Sequence, residues 1–456
     1  IGKNIVYHSF DWQTPNLVSG GTILNQQAVD PLSGEDLFLV DEEGQPILDY
    51  LEQPIPAYEN ARRPRFLVQG KSLAIAGKPS TAKATVMVLV YKQGEDGRGG
   101  PSDIFIRRWE VAAADKGNPY DVKYLVSGDT NVSAVTPRVD GFWENPDQDD
   151  PDKGIKLIRW DQTADNLDDY SWEYPGDNAQ AQRGYLRGDL LVLGYTWTPN
   201  WRSARNANDI YNLYVRRSFD GGRTFTTTPA SDPYGVYEYN GQGAVWSELF
   251  RNPQEGTTEL YELSIPAGEF EPARNITQYK NNKINCIEPR IVPPGPAVAG
   301  SSYPEDVSSL STIWLTWGTG ATHAVIHGDS EEEEEDIGKM PLDLQYTYSL
   351  DWGDTWVLEE KTVNPDSDGN YAGETTFRPF YLAKGDSMQG EAQVKLSADA
   401  SKAFVVWNDE GIPPELLTDP SKVEMDTFFR RIMPYEVEHN QALAEPVFTA
   451  SPTVIQ

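Results

Sequence analysis

Two stretches of the chain decide its fold. Residues 216–225 read Arg-Arg-Ser-Phe-Asp-Gly-Gly-Arg-Thr-Phe, and residues 348–356 read Tyr-Ser-Leu-Asp-Trp-Gly-Asp-Thr-Trp. Both fit the pattern S-x-D-x-G-x-T-[F/W]. Glycine supplies backbone angles that other residues avoid, and Ser and Asp side chains can accept hydrogen bonds from turn amides. The pattern therefore predicts two tight turns, each followed by an aromatic residue packed beneath it. The turn residues are Ser218, Asp220, Gly222, Thr224 and Phe225, and Ser349, Asp351, Gly353, Thr355 and Trp356.

The segments around these turns recur in a fixed order. A short triplet precedes an apolar strand, and a strand of mixed character follows it. The triplets are 64–66, 137–139, 289–291 and, without proline and arginine, 392–394. The apolar strands are 86–91, 190–197, 313–317 and 403–407, and the mixed strands are 102–109, 209–215, 342–348 and 426–431. Four copies of one order predict an all-β chain built from repeated units.

These residues resemble the bacterial neuraminidase repeat, or Asp box, of a β-propeller family that includes sialidases and many non-enzymatic surface proteins. The resemblance covers residues 61–435. It implies an all-β propeller of five to seven four-stranded blades, in which the box is a structural turn between the third and fourth strands. Residues 1–60 would form an N-terminal segment that completes or closes the propeller. Residues 436–456 would form a C-terminal extension or a ring-closing strand.

The spacing of the repeats predicts long insertions. Pro64, Pro137 and Pro289 stand much farther apart than the roughly 40–50 residues of an ordinary blade. Insertions are therefore expected near 140–185, 226–285 and 318–342. Long loops on a rigid scaffold commonly mediate recognition, so these insertions are candidate carriers of function.

The composition excludes several classes of protein. The 456 residues include 70 acidic and 38 basic ones, a formal charge of −32, with 38 glycines and 33 prolines. A single cysteine, Cys286, excludes an intramolecular disulfide, a zinc ribbon and an attached c-type haem. The negative charge argues against nucleic acid as a partner. No apolar run is long enough for a membrane-spanning helix. We expect neither haem nor nucleotide as a cofactor.

The acid excess favours an exported protein. It keeps a protein soluble and is common among exported, calcium-bathed or salt-adapted proteins. The chain begins at Ile1 without Met or a signal peptide, which leaves open whether a leader or an anchor was removed. We expect a bacterial or archaeal protein located outside the cell, on its surface or in the periplasm. Its expected partner is another protein or a carbohydrate on the cell surface.

Arginine marks the same place in three triplets. Arg65, Arg138 and Arg290 each follow a proline, and equivalent positions converge around the axis of a propeller. Three guanidinium groups there could clamp a carboxylate, as the arginine triad of sialidases does. The alternative is that each arginine pairs with a neighbouring carboxylate. The nucleophile and acid of a sialidase are not recognisable among the many tyrosines and acidic residues.

One acidic loop suggests calcium. Its oxygen-bearing side chains alternate as in a D-x-D-x-D-G calcium loop, and its glycine permits the sharp turn. The candidate ligands are Asn364, Asp366, Asp368, Asn370 and Glu374. The alternative is a solvated polar turn, because asparagine stands at the first position and the glutamate comes one residue early.

Two N-glycosylation sequons are interpreted as part of the repeat. Asn131-Val132-Ser133 and Asn275-Ile276-Thr277 match the acceptor pattern. Each stands before a Pro-Arg triplet, however, and this shared position favours a structural role.

The predicted function is non-catalytic. The structural residues of the Asp-box family are recognisable and the residues specific to its enzymes are not. We interpret the chain as an exported or cell-surface binding or structural module, which could be a component of a larger extracellular assembly. One alternative is a sialidase-like glycoside hydrolase. Another is a calcium-dependent adhesion or sheath protein.

Overall fold

A computed structural model describes residues 3–28, 35–41, 43–58, 60–68, 84–94, 102–112, 114–115, 117–134, 136, 177–198, 211–227, 244–252, 257–279, 284–295, 311–321, 343–362, 375–384, 389–409, 426–433, 447–448 and 453–454. The described chain is all-β, as predicted, with one turn of 3-10 helix at Val122–Tyr124.

The strands are β1 (Val6–Tyr7), β2 (Thr22–Ile23), β3 (Asn60–Val68), β4 (Ala84–Gly94), β5 (Ser102–Val111), β6 (Thr130–Asn131), β7 (Asn178–Arg187), β8 (Leu190–Thr198), β9 (Asn212–Ser218), β10 (Ala244–Asn252), β11 (Thr257–Ile265), β12 (Arg274–Asn275), β13 (Ile284–Val292), β14 (Ile313–Ala321), β15 (Asp343–Ser349), β16 (Glu359–Thr362), β17 (Thr375–Arg378), β18 (Phe380–Ala383), β19 (Gln389–Leu396), β20 (Ala403–Asp409), β21 (Asp426–Met433), β22 (Val447–Phe448) and β23 (Thr453–Val454). The apolar strands predicted from the sequence are β4, β8, β14 and β20, and the mixed strands are β5, β9, β15 and β21.

Seventeen of these strands form four antiparallel sheets, three of four strands and one of five. The first sheet is β3-β4-β5-β6, the second is β7-β8-β9-β12, and the third is β13-β14-β15-β18. The fourth is β19-β20-β21 with β22 and β23 both paired to β21. A single parallel pair, Ser102 with Asn178, connects the first sheet to the second. Three separate hairpins are β1–β2, β10–β11 and β16–β17.

The four sheets pack face to face in chain order. Strand β8 is buried along its whole length because alternate side chains enter different cores. Leu191 and Leu193 pack with Val88 of the first sheet. Leu190 and Val192 pack with residues of the third sheet. A third core, built around Trp314 and Trp407, joins the third sheet to the fourth. The apolar pattern of the second strands therefore follows from burial on both faces.

The chain before β3 covers the other face of the first sheet. Ile5 and Leu24 enter a core with Tyr91 and Trp109. Ala61 N donates a hydrogen bond of 2.8 Å to Lys3 O, which ties this segment to β3. Two of the predicted insertions contain strands: β7 begins inside 140–185, and β10, β11 and β12 lie within 226–285.

Candidate functional site

The first strand of every sheet carries a bulge at the same place. The pairing with the second strand shifts just before Arg65, Arg183, Arg290 and Gln393. In three of the sheets the residue two positions earlier has a positive φ: Arg63 at 52°, Ala181 at 56° and Glu288 at 45°. An extra residue in one strand re-aims the side chain that follows it. The bulge therefore presents equivalent side chains from successive sheets.

The structure adds a further arginine to the predicted set. Strand β7 brings Arg183 to the register that Arg65 and Arg290 occupy in their own strands. Arg138, which the sequence grouped with Arg65 and Arg290, lies outside the described residues and stays a prediction. A signal in the sequence could have found Arg183, because an asparagine stands five residues before each arginine. These asparagines are Asn60, Asn178 and Asn285.

The asparagines join neighbouring parts of the chain. Ser102 Oγ, at the start of the first sheet's third strand, donates to Asn178 Oδ1 at 2.6 Å. Tyr211 N, just before the second sheet's third strand, donates to Asn285 Oδ1 at 2.7 Å. These two asparagines thus hold the first strand of their own sheet against the preceding sheet. The arginines that follow come at the same register in the first strands of successive sheets.

The three arginines lie close enough for each charge to affect another. Burial lowers the pKa of Arg183 to about 10, with further lowering by Arg65 and Arg290. Burial also lowers the pKa of Arg65, again with a contribution from Arg290. Strands β3, β7 and β13 contact in that order, and Gln182 Nε2 donates to Arg63 O at 2.7 Å. The first strands therefore assemble a group of like charges.

Few carboxylates balance this group among the described residues. Glu288, which is largely exposed, lies 3.6 Å from the guanidinium of Arg290. Nη1 of Arg183 donates instead to the carbonyl of Gln182 at 2.9 Å. Nε of Arg65 is buried and makes no hydrogen bond. Glu288 also acts to raise the pKa of Arg183, so this one carboxylate affects two of the three arginines.

Further cations extend the group along β3 and β4. Arg62 lies directly opposite Lys92 in the pairing of these strands. Burial lowers the pKa of Lys92 to about 8, and Arg63 and Arg62 contribute to this lowering. We name the whole set the cationic cluster: Arg62, Arg63, Arg65, Lys92, Arg183 and Arg290. An anion with several oxygen atoms is the kind of ligand that such a set can hold.

The two S-x-D-x-G-x-T turns have the same geometry. Ser218 Oγ accepts from Gly222 N at 2.7 Å and donates to Asp220 Oδ1 at 2.8 Å. Thr224 donates to both oxygens of Asp220, through N at 2.9 Å and through Oγ1 at 2.6 Å. The corresponding four bonds between Ser349 and Thr355 are 2.8, 2.8, 2.8 and 2.6 Å. Each turn follows the third strand of its sheet and precedes the fourth.

Both turns pack against the preceding sheet. In the first turn, Gly221 lies next to Thr85 of the first sheet. Arg223 Nε lies 2.9 Å from Oε1 of Glu110 in the same sheet. In the second turn, the carbonyl of Trp352 accepts a hydrogen bond of 3.0 Å from Nη1 of Arg217 in the second sheet. These contacts give the turns a role in joining sheets.

Replacing Asp220 by alanine should lower the free energy of unfolding by about 1–2 kcal/mol, as for other lost turn or cap bonds. The matched variant Asp220→Asn keeps one acceptor oxygen and should lose less. Chemical denaturation of both variants, and of Asp351→Ala, measures the effect. An unfolding curve unchanged by losing both aspartates together would contradict the structural role of the turns.

The two sequons begin in the fourth strands of the first and second sheets, β6 and β12. Asn275 is buried, and its Oδ1 accepts from Gln278 N at 2.9 Å. Thr277 Oγ1 accepts from Leu213 N at 3.0 Å. In the first sheet, Ser133 Oγ accepts from Ile104 N at 2.9 Å in the same way. The hydroxyl of each motif thus continues the pairing between the third and fourth strands.

The predicted calcium loop, residues 364–374, lies outside the described residues, so calcium stays a prediction. Within the described ranges, no group of three or more His, Cys, Asp or Glu side chains is arranged to hold a metal ion.

In the same part of the chain, no helix has the length and apolar character needed to cross a membrane. Cys286 is buried, and burial raises the pKa of its thiol.

Comparison with known proteins finds only weak similarity. No family model matches the chain, and no curated protein matches it. A solved structure of a BT0996 RGII complex is 10% identical over 57% of the present protein and 71% of its own length, with a TM-score of 0.19. Another, described as a glycoside hydrolase, is 10% identical over 61% and 76%, with a TM-score of 0.20. Likeness at this level assigns neither a family nor a function.

Proposed function

We propose that this protein is an Asp-box β-propeller that binds carboxylate-bearing ligands in its cationic cluster without catalysing a reaction. One observation carries the proposal: Arg65, Arg183 and Arg290 occupy the same bulge position in three sheets, and the pKa of Arg65 and of Arg183 is lowered in part by the others. Holding like charges together costs free energy, and a bound carboxylate would offset that cost.

The arrangement of the sheets supports a propeller. Four antiparallel sheets follow one another in the chain and pack face to face through successive cores. Their first strands contact in the order β3, β7, β13 and β19, as strands around a common axis do. The shared geometry of the two turns, between the third and fourth strands, is the geometry that the Asp-box resemblance implies.

The surroundings of the cluster favour binding over catalysis. A sialidase-like mechanism needs a nucleophile activated by an adjacent base. Tyr185 lies two residues from Arg183 in strand β7, but it is buried and burial raises its pKa. Its hydroxyl makes no hydrogen bond, so no carboxylate among the described residues activates it. We therefore propose a binding role, with an acidic sugar as the ligand class. The location outside the cytoplasm is proposed from the acid excess of the sequence.

Calorimetric titration with glucuronate and with N-acetylneuraminate tests this function. Both should bind, glucose should not, and Arg183→Ala should weaken binding by about tenfold or more, as expected for a lost charge-assisted contact of at least about 1.4 kcal/mol. Lys395→Ala is the matched control, because Lys395 is exposed on the first strand of the fourth sheet.

Two results would reject the proposal. One is equal affinity for glucose and glucuronate, which would show that the carboxylate is not recognised. The other is hydrolysis of aryl glycosides of these sugars that is lost in Arg183→Ala, which would favour the glycoside hydrolase.

A further inference from the structure

One amine lies within the cationic cluster, on the second strand of the first sheet. Lys92 of β4 is paired with Arg62 of β3 on one side and with Ile104 of β5 on the other. Alternate residues of a strand share a face, so Lys92 lies on the face of Val88 and Val90, which enter the first core. The amine is therefore held at the end of an apolar core and beside an arginine.

These surroundings make Lys92 a stronger nucleophile than an ordinary lysine. The side chain is only partly exposed, and burial is the largest cause that lowers its pKa to about 8. The positive charges of Arg63 and Arg62 add to this lowering. An ordinary lysine, with a pKa of about 10.4, stays protonated at pH 8 and has no lone pair to donate. Desolvation beside another cation is how proteins prepare a lysine to attack a carbonyl group.

The bulge of strand β3 gives a ligand access to this amine. The pairing of β3 with β4 passes from Arg62 directly to Arg65, which leaves Arg63 and Pro64 outside the regular ladder. Both of these residues are exposed to solvent. Arg63 acts on the pKa of Lys92, so its guanidinium lies within electrostatic range of the amine. A guanidinium open to solvent thus stands near a partly neutral amine.

We propose that Lys92 captures 2-oxo acids by forming an imine with their carbonyl carbon, while Arg63 holds their carboxylate. The carboxylate and carbonyl groups of such a ligand are adjacent, and they match the adjacent guanidinium and amine of the protein. The inference rests on the proposed function, because it uses the cationic cluster as the carboxylate site. It narrows the ligand class to acids with a carbonyl group beside the carboxylate, which includes the open-chain form of N-acetylneuraminate.

The step balances without a further reagent. The lone pair of Lys92 Nζ forms a bond to the carbonyl carbon, the carbon–oxygen π bond breaks, and the oxygen takes up a proton. The oxygen then leaves as water with the two hydrogens of the neutral amine, and a carbon–nitrogen double bond remains. Water reverses the same step, so the capture is reversible.

Reductive trapping of the full-length chain with pyruvate and cyanoborohydride, followed by peptide mass spectrometry, tests the proposal. Cyanoborohydride supplies the hydride that makes the imine permanent. At pH 8, Lys92 should be modified roughly tenfold or more faster than Lys123. Lys123 is exposed, and its hydrogen bond with Tyr124 raises its pKa. Modification of Lys92 should increase as the pH rises through about 8, because the neutral amine is the reactive form.

Acetone is the matched control ligand, because it has the carbonyl group of pyruvate and lacks the carboxylate. It should modify Lys92 much more slowly than pyruvate does. The variant Lys92→Arg should lose the adduct, whereas Lys123→Arg should keep it. Thermal melts verify that both variants are folded, and the wild-type peptide map decides the question if Lys92→Arg is not.

Two results overturn the proposal: pyruvate that modifies Lys92 no faster than Lys123, or acetone that modifies Lys92 as fast as pyruvate does. Calorimetry of the wild type with glucuronate separates this failure from that of the proposed function. Glucuronate that binds when pyruvate gives no adduct leaves the proposed function standing. An adduct without glucuronate binding would confine the carboxylate site to 2-oxo acids, and the absence of both overturns both.

Discussion

Replacing Glu271 by alanine is expected to lower the free energy of unfolding by about 3–5 kcal/mol, because it removes the buried carboxylate that pairs with the buried Arg217 and the partly buried Arg274. Arg217 Nε donates to Glu271 Oε2 at 2.8 Å, and Arg274 Nε donates to Oε1 at 2.6 Å. Both arginines also contact Asp354 Oδ1, at 3.0 and 3.1 Å. Asp354 belongs to the third sheet's turn, so the network joins that sheet to the second.

Urea unfolding of Glu271→Ala, Glu271→Gln and Glu269→Ala measures this effect. Glutamine keeps hydrogen-bond acceptance and should cost less than alanine. Glu269 is the matched control, because it is a glutamate two residues away that is exposed to solvent. Equal stability of Glu271→Ala and Glu269→Ala would contradict the role assigned to the network.

The same network makes the stability depend on pH. Burial works to raise the pKa of Glu271, but Arg217 and Arg274 outweigh it and hold the pKa below its ordinary value of 4.5. A carboxylate with a lowered folded-state pKa contributes stability that is fully present above the unfolded-state pKa. That contribution is lost as the pH falls through the lower folded-state value. The stability difference between wild type and Glu271→Gln should therefore shrink below about pH 4.

Replacing Trp314 by alanine is expected to cost about 3–5 kcal/mol, the usual range for deleting a buried large aromatic side chain. Trp314 stacks on Tyr346 with ring centroids 4.8 Å apart and on Tyr348 at 5.5 Å. It lies in the core that joins the third sheet to the fourth. The loss of this ring would open a cavity between two sheets.

Trp314→Phe separates packing from hydrogen bonding in the same experiment. The indole nitrogen of Trp314 is buried without a hydrogen-bond partner. Phenylalanine keeps an aromatic ring and removes that unsatisfied donor, so this variant should cost much less than alanine. A Trp314→Ala protein as stable as the wild type in urea would show that the third core does not hold the sheets together.

The local features of the fold could be predicted from the sequence. The bonds of each S-x-D-x-G-x-T turn lie within seven consecutive residues, so the pattern alone specifies them. The apolar second strands were equally recognisable, because burial on both faces requires β-branched, aromatic and leucine side chains throughout. The sequence alone thus determined the all-β class, the second and third strands of the four sheets, and the two turns.

The membership of the cationic cluster was decided only by the tertiary structure. Arg65 and Arg290 follow a proline, whereas Arg183 follows Gln182, so the triplet pattern selected Arg138 for the second sheet. The bulge register of β7 against β8 adds Arg183 at the equivalent position. Likewise, Arg217 and Arg274 of the second sheet meet Asp354 of the third sheet's turn only after the two sheets pack. Such positions depend on pairing between distant strands, and a pattern read along one strand does not contain the register of its partner.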